Sequence, residues 1–456
     1  MLNTNTPEFT IDLFETISEF GLKTEPEIDV VSQEKIGDSA NFSVLIKIDG
    51  KVFESSYFIP SGNEVVVKRH KKRFLKLALY NAINTLYPTR LPWGSLTGIR
   101  PTKLCYQIME EGGNFKEEFL NKFKVSSEKT QLVSKILQAQ KKYYEKTENN
   151  FGLFVSIPFC PSRCAYCSFL SCEIGKVKQI DDYVSALCKE IEASKPLIKN
   201  LRSVYVGGGT PVSLKNEHFE RILSAIGKTD VEYTIEAGRP DCITEENLKI
   251  MKKYGVSRVC VNPQTLCDET LKILGRKHTS KDIFEKFELV RSFGFDINMD
   301  LICGLPGENF DTFKSTLDRV CQLNPENITI HTLALKRGSK LKQTTERLSG
   351  EIVEKMVDYG HKKLEDEGYQ PYYLYRQKYM AGNLENTGYA KKGKECVYNV
   401  DMMEEIAQII GCGANSVSKR IFIDENRLER YGAPKDVVTY INKIEKIIEE
   451  KSKLFN

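Results

Sequence analysis

Residues 153–172 read LFVSIPFCPSRCAYCSFLSC, an extended apolar run that leads directly into a group of cysteines. Cys160, Cys164 and Cys167 are separated by three residues and then by two, so three thiolates lie in one tight loop at the end of a predicted strand. Three thiolates suit a 4Fe-4S cluster with one open iron, whereas a closed structural zinc site takes four protein ligands. The alternatives are a loop of unrelated thiols or a zinc knuckle that uses Cys172 as its fourth ligand.

Downstream of this loop, short β-rich segments alternate with segments of helical length. Such alternation predicts a parallel sheet with right-handed crossovers, and six βα units predict an open, partial (β/α)6 barrel in an α/β fold. In such a barrel the chemistry gathers at the carboxyl ends of the strands. The predicted strands are LFVSIPF, SVYVGGG, VEYTIEA, SRVCVNP, FDINMDLI and NITIHTL.

Candidate binding residues follow these strands. Residues 207–211 read GGGTP after the second strand, where glycines let the backbone approach a ligand closely. No G-x-G-x-x-G spacing opens a helix there, which excludes a dinucleotide fingerprint. Glu236 ends the third strand, Gln264 follows the fourth, and Asp300 lies within the fifth. Each of these side chains, taken singly, is as compatible with capping or with satisfying the core as with binding.

These motifs together resemble a known family. The Cys-x3-Cys-x-Tyr-Cys pattern resembles the signature of radical S-adenosylmethionine (SAM) enzymes, and the IPFC before it is similar to the oxygen-independent coproporphyrinogen III oxidase/dehydrogenase family. Residues 91–104, LPWGSLTGIRPTKL, and 372–378, YYLYRQK, resemble the HemZ-type branch of that family. The resemblance therefore covers nearly the whole chain.

The resemblance implies two cofactors and a set of residues for each. It makes Cys160, Cys164 and Cys167 the ligands of a 4Fe-4S cluster, and it makes Arg276 the partner of the SAM carboxylate, a geometry that guanidinium suits. Tyrosines mixed with cations suit a flat ring that carries carboxylates, so Tyr375 and Arg376 are expected to contact the substrate; the alternative is an exposed surface that flanks a helix. The residues expected to bind SAM are Phe154, Tyr166, Gly208, Gly209, Thr210, Glu236, Gln264, Arg276, Asp300 and Ala334.

The implied activity is the oxidative decarboxylation of coproporphyrinogen III to protoporphyrinogen IX in haem biosynthesis, driven by a 5′-deoxyadenosyl radical made from SAM. The implied partners are a tetrapyrrole and a reducing electron donor such as flavodoxin or ferredoxin. Three positions depart from the family's oxidases: Phe154 replaces a tyrosine, Ser156 a histidine and Phe169 a fourth cysteine. Haem-chaperone relatives share the phenylalanine at position 169, so a haem-binding chaperone or a haem-modifying radical SAM enzyme is the alternative.

Composition narrows the class of partner. Lys and Arg exceed Asp and Glu by four in 456 residues, which gives no signature of a DNA-binding or membrane-surface protein and makes RNA an unexpected partner. The basic run at 68–73, KRHKKR, is compatible with a solvated helix start or with a patch for RNA or an anionic ligand. Thirteen cysteines without an apolar signal segment predict a reducing compartment, the cytoplasm, and no apolar run is long enough to span a membrane.

Three domains are expected. Residues 1–150 form an N-terminal α+β domain, in which alternating strands flank the hairpin signal Asp49-Gly50. Residues 151–340 form the partial barrel with its cluster. Residues 341–456 form a C-terminal region that closes the open side of the barrel and covers the substrate.

Overall fold

The chain separates into two compact units, Met1–Ser134 and Lys135–Asn456. The structure, a computed structural model, describes residues 1–23, 25–35, 41–60, 62–98, 100–167, 172–334, 341, 348–377 and 380–456. The division into three domains at residues 150 and 340 stays a prediction.

The first unit is a small α+β structure. Within the residues described there, its strands form a four-stranded sheet in the order β1-β2-β3-β4. The bounds are β1 Leu2–Thr4, β2 Ile28–Lys35, β3 Asn41–Ile48, β4 Lys51–Phe58, α1 Thr10–Glu19, α2 Glu64–Leu86, α3 Pro101–Glu110, α4 Phe115–Glu117 and α5 Ser127–Gln140, the last of which runs on into the second unit.

The predicted hairpin is confirmed. Asp49 and Gly50 have φ angles of 46° and 84° and join β3 to its antiparallel neighbour β4, as a two-residue turn with positive φ at both positions requires. Alternate residues of β3 are buried, and α2 packs on them with a face that includes Phe74 and Leu75. The period-two pattern of β3 therefore places one face of the sheet in the core of this unit.

The second unit is built on a large, mostly parallel sheet. Its strands are β5 Asn150–Ile157, β6 Phe159–Cys160, β7 Cys172–Glu173, β8 Asn200–Gly208, β9 Glu232–Ile235, β10 Arg258–Cys260, β11 Asp296–Cys303, β12 Asn327–Thr332, β13 Gln370–Tyr375, β14 Asn386–Ala390, β15 Gln408–Cys412, β16 Val417–Phe422 and β17 Arg427–Gly432. Its helices are α6 Ile180–Ser194, α7 Asn216–Ile226, α8 Glu245–Lys253, α9 Asp268–Ile273, α10 Ser280–Ser292, α11 Phe310–Leu323, α12 Gly350–Asp366, α13 Val397–Glu404, α14 Val437–Asn442 and α15 Ile444–Phe455.

The six strands expected from the sequence all form, and they are parallel neighbours in chain order, β5-β8-β9-β10-β11-β12. Val155, Val206 and Val259 are fully buried, as expected for strands whose two faces are both covered. The predicted α/β class with a parallel sheet is therefore confirmed. Because the six strands are parallel, their carboxyl ends all lie along one edge of the sheet, the carboxyl edge.

The C-terminal segment, residues 348–456, adds strands to this sheet at both of its lateral edges. β15 pairs in parallel with β5, and β14 pairs antiparallel with β12 and with β13. Eleven strands among the described residues form one continuous sheet as a result. No helix in the described part of the chain has the length and apolar character needed to cross a membrane.

Candidate functional site

The cysteine loop follows β5 directly. Cys160, Cys164 and Cys167 are half-buried, and the amide of Cys167 donates to the carbonyl of Cys164 at 3.1 Å, which tightens the loop into a turn. Cys172 is exposed and lies on β7, opposite Phe159. Phe169, one of the three departures from the family pattern, lies outside the described residues.

The donor set fits a 4Fe-4S cluster. Among the residues described by the structure, no three His, Cys, Asp or Glu side chains converge as the ligands of a single ion do. A cubane cluster instead takes one thiolate for each of three irons, so its ligands stand apart around the cluster. Three accessible thiols in one turn at the carboxyl end of a strand supply those ligands.

The glycine turn after β8 is fastened to the cysteine loop. A Cβ at Gly209 would lie 2.5 Å from the carbonyl oxygen of Phe159, so only glycine fits there. The amide of Thr210 donates to the same carbonyl at 2.7 Å, and its hydroxyl lies 3.5 Å from the sulfur of Cys160. Gly208 has a φ of +95°, which also favours glycine. The glycine turn and the cysteine loop, which were predicted as separate motifs, are therefore held together by hydrogen bonds and close packing.

Glu236 and Asp300 are brought together by Asn262. The Asn262 amide nitrogen donates to Glu236 Oε1 at 2.7 Å, and its oxygen accepts from the backbone amide of Asp300 at 3.3 Å. Tyr205 donates to the other oxygen of Glu236, and Asn298 donates to Asp300 Oδ1 at 2.8 Å. Burial and the nearby Asp300 carboxylate raise the pKa of Glu236 to about 7.

Arg276 lies beside this acidic pair. One terminal nitrogen donates to the Tyr166 hydroxyl at 3.0 Å, and the other donates to the carbonyls of Gly238 and Asn262, each at 2.7 Å. Its Nε has no hydrogen-bond partner among the described residues. The structure thus brings together Tyr166 and Arg276, two residues expected to bind SAM, although carbonyl groups of the protein already hold part of the guanidinium.

His331 links the acidic pair to the C-terminal segment. It lies on β12, with Nε2 3.7 Å from Asp300 Oδ2 and Nδ1 3.3 Å from the hydroxyl of Tyr375. Because Tyr375 ends β13, this contact brings the residue expected to bind substrate to the same edge as the residues expected to bind SAM. Ala334 follows β12 and forms an isolated bridge with Met380.

The remaining predicted residues have mixed environments. Gln264 has a φ of +67° and exchanges backbone hydrogen bonds with Asp300 and Ile302 of β11. Phe154 stacks on Tyr398, with ring centroids 6.1 Å apart. Arg376 is only 3% exposed and donates to the carbonyl of Asn383 at 2.9 Å, which holds its guanidinium within the C-terminal segment. Its role toward substrate stays a prediction.

Several polar residues of this edge are absent from the sequence-based set of site residues. Tyr205 and Asn298 lie inside predicted strands, Asn262 follows β10, and His331 is near the end of β12. The signal that could have found them is position, since all lie on the strands or strand ends that carry the predicted binding residues.

Comparison with known proteins places this geometry in context. Residues 154–320 match the model of the radical SAM superfamily. The chain is 35% identical over 420 residues to the oxygen-independent coproporphyrinogen-III oxidase-like protein HemZ of Bacillus subtilis, which covers 88% of this chain and 84% of that protein. It is 33% identical to the heme chaperone HemW of B. subtilis over 40% of this chain and 50% of that one.

The fold matches a solved structure. Coproporphyrinogen III oxidase (HemN) from Escherichia coli, described as a radical SAM enzyme, superposes with a TM-score of 0.54 at 22% identity. The match covers 68% of this chain and 72% of that one. At this level of identity the likeness establishes the shared fold.

Proposed function

We propose that this chain, which belongs to the radical SAM superfamily and within it to the family of the coproporphyrinogen-III oxidase-like protein HemZ, decarboxylates coproporphyrinogen III oxidatively without molecular oxygen. The product is protoporphyrinogen IX. The chain's cofactors are a 4Fe-4S cluster and SAM, the pair that radical SAM proteins use. When bound, they supply one electron and a carbon radical that removes a hydrogen atom from substrate.

One observation carries the proposal. His331 touches both Asp300, expected to bind SAM, and Tyr375, expected to contact substrate. A radical made at the SAM site must reach a substrate C–H bond directly, so the two sites must adjoin. The contact through His331 supports such an arrangement at the carboxyl edge of the sheet.

The residues of this edge have separate tasks in the proposal. Cys160, Cys164 and Cys167 hold the cluster, Arg276 takes the SAM carboxylate, and Asp300 accepts a hydrogen bond from SAM. The other residues proposed to hold SAM are Phe154, Tyr166, Gly208, Gly209, Thr210, Glu236, Gln264 and Ala334.

The proposed reaction converts two propionate side chains of the substrate into vinyl groups. For each propionate, loss of one β-hydrogen atom, one CO2 and one electron leaves a vinyl group, so two propionates need two rounds and an electron acceptor. Tyr375 and Arg376 are proposed to hold the tetrapyrrole by its ring and a carboxylate. Shielding by the C-terminal segment keeps water and other hydrogen donors away from the radical.

The test is an anaerobic assay of reconstituted protein with SAM, a reductant and coproporphyrinogen III. Vinyl products and 5′-deoxyadenosine are measured together, with Cys164→Ala as the inactive control. Vinyl formation that depends on Cys164 is the expected result. SAM cleavage without vinyl products from coproporphyrinogen III would contradict the proposal.

A haem chaperone is the second candidate, favoured by the 33% identity over 192 residues to the heme chaperone HemW of B. subtilis. Titration with haem discriminates between the two. A stoichiometric shift of the haem absorption bands, in a protein that forms no vinyl product, would favour the chaperone.

The proposed reaction takes place in the cytoplasm and requires an electron donor. None of the thirteen cysteines, all described by the structure, is paired in a disulfide, which suits a reducing cytoplasm. A low-potential donor such as flavodoxin or ferredoxin would reduce the cluster.

A further inference from the structure

Arg239 lies close behind the cysteine loop, three residues after Glu236. Its side chain is 4% exposed, and its Nε and Nη2 donate to the two carboxylate oxygens of Asp241 at 2.9 and 2.8 Å. This bidentate pair fixes the plane of the guanidinium, because two parallel hydrogen bonds leave it little freedom to rotate.

The remaining nitrogen of Arg239 points into the cysteine loop. Nη1 lies 3.1 Å from the hydroxyl of Ser162, 3.4 Å from the carbonyl of Ser162 and 3.8 Å from the sulfur of Cys164. The Arg239 guanidinium therefore connects the segment after β9 to the middle of the cysteine loop, and its Nη1 reaches the sulfur of Cys164.

We propose that Arg239 is a positioning residue for the cluster: it holds the cysteine loop in place and donates a hydrogen bond to the thiolate of Cys164. The inference rests on the proposed function, because it takes Cys164 as a cluster ligand. Hydrogen bonds to the ligand sulfurs are among the factors that set the reduction potential of an iron–sulfur cluster. A donor here stabilises the reduced, more negative state and raises that potential.

The choice of arginine follows from the geometry. Lysine presents one compact charge, so it can engage Asp241 or the cysteine loop but cannot span both in a fixed plane. Asp241 also cancels the charge of Arg239, which leaves a directed hydrogen bond rather than a net positive charge beside the loop. Replacing Asp241 by asparagine and Arg239 by the shorter glutamine therefore removes the donor geometry at constant net charge.

The experiment compares Arg239→Lys and the double variant Arg239→Gln/Asp241→Asn with wild type. Apo-protein unfolding shows that each variant is folded, iron and sulfide analysis shows the cluster content, and an EPR-monitored redox titration gives the midpoint potential. Arg221 and Asp181 form a matched pair on the surface of the same unit, with Nη1 to Oδ1 at 2.5 Å, so Arg221→Gln/Asp181→Asn is the control.

Two results support the inference. In the first, a folded Arg239 variant loses iron while the Arg221/Asp181 control keeps it. In the second, the variant keeps its cluster, and the midpoint reduction potential of the cluster is lower than in the wild type. For the double variant we expect the reduction equilibrium to fall about tenfold, which for a one-electron couple is about 59 mV.

Full cluster content with the wild-type potential in both Arg239 variants overturns the inference alone. A wild-type chain that takes up no iron–sulfur cluster overturns the proposed function and the inference with it. The two failures are therefore distinguishable in the same set of samples.

Discussion

The two ends of the same parallel strands treat buried charge in opposite ways. At the amino ends, Arg258 donates to Glu232 at 2.6 Å, to Asn327 at 3.0 Å and to the carbonyl of Lys394 at 2.7 Å. Glu232 also accepts from the amide of Val397 at 3.0 Å. Here one cation and one anion neutralise each other, and the surrounding polar groups complete their hydrogen bonds.

At the carboxyl ends, two carboxylates lie near each other. Glu236 and Asp300 are joined by a neutral amide, Asn262. The His331 ring lies near Asp300, and the nearby Arg276 guanidinium donates its hydrogen bonds to hydroxyl and carbonyl groups. In a paired network each charge compensates the other, so the fold depends on keeping both partners, whereas like charges held close together raise a pKa and are typical of a functional site. The amino ends of the strands therefore carry a structural network, whereas the carboxyl ends have the character of a functional site.

The largest effect belongs to the cysteine loop at the carboxyl edge. Changing Cys160, Cys164 or Cys167 to Ala should abolish the cluster, because each removes a ligand of one iron. Cys172→Ala is the matched control and should keep it, since Cys172 is exposed on β7. Iron content and the absorption spectrum after anaerobic reconstitution check both. Equal loss in the Cys172 variant would remove the assignment of an open iron.

Next in size is the amino edge. Arg258→Met leaves Glu232, whose side chain is only 11% exposed, without its cation, so the free energy of unfolding should fall by about 3–5 kcal/mol. Denaturant unfolding of the apo-protein measures it. Arg427→Met breaks two surface pairs, one with Glu425 in the turn before β17 and one with Glu429 on β17, and should have a much smaller effect on the free energy of unfolding. Comparable losses in the two variants would erase the contrast between a buried network and a surface pair.

A smaller effect is expected on SAM binding. Asp300→Ala and Arg276→Ala each remove one polar partner and leave the cluster ligands in place, so SAM affinity should fall about tenfold or more, or about 1.5–3 kcal/mol. Equilibrium binding to the reconstituted protein, with iron content measured in parallel, provides the check. Wild-type affinity in both variants would argue against placing SAM at this edge.

The smallest effect concerns the pH dependence of stability. Because the pKa of Glu236 is about 7 in the folded chain and near its ordinary value when unfolded, the folded state holds a proton that the unfolded state has lost. The stability contributed by this group therefore falls as pH rises between those values. Glu236→Gln should therefore stabilise the apo-protein near pH 8 and have almost no such effect near pH 4, where Glu236 is largely protonated in both states. A gain independent of pH would show that Glu236 is not the titrating group.

The sequence alone was sufficient for the features that are local. The spacing of Cys160, Cys164 and Cys167 fixes three thiols in one turn, and the apolar segments between helices predict six parallel strands in chain order, as observed. The requirement for glycine at Gly209 was also predictable, although its contact with the cysteine loop was not. The Cβ that glycine lacks would strike the backbone of Phe159, fifty residues earlier.

Only the tertiary structure decided which polar residues meet. Asn262 bridges Glu236 and Asp300, Arg239 reaches Cys164, and β15 lies beside β5, although these partners are separated by between 26 and more than 200 residues in the chain. Local patterns fix period and turn, because they depend on neighbouring residues. Contacts of this kind depend on strand order, register and the direction of each buried side chain, which the packed sheet sets as a whole.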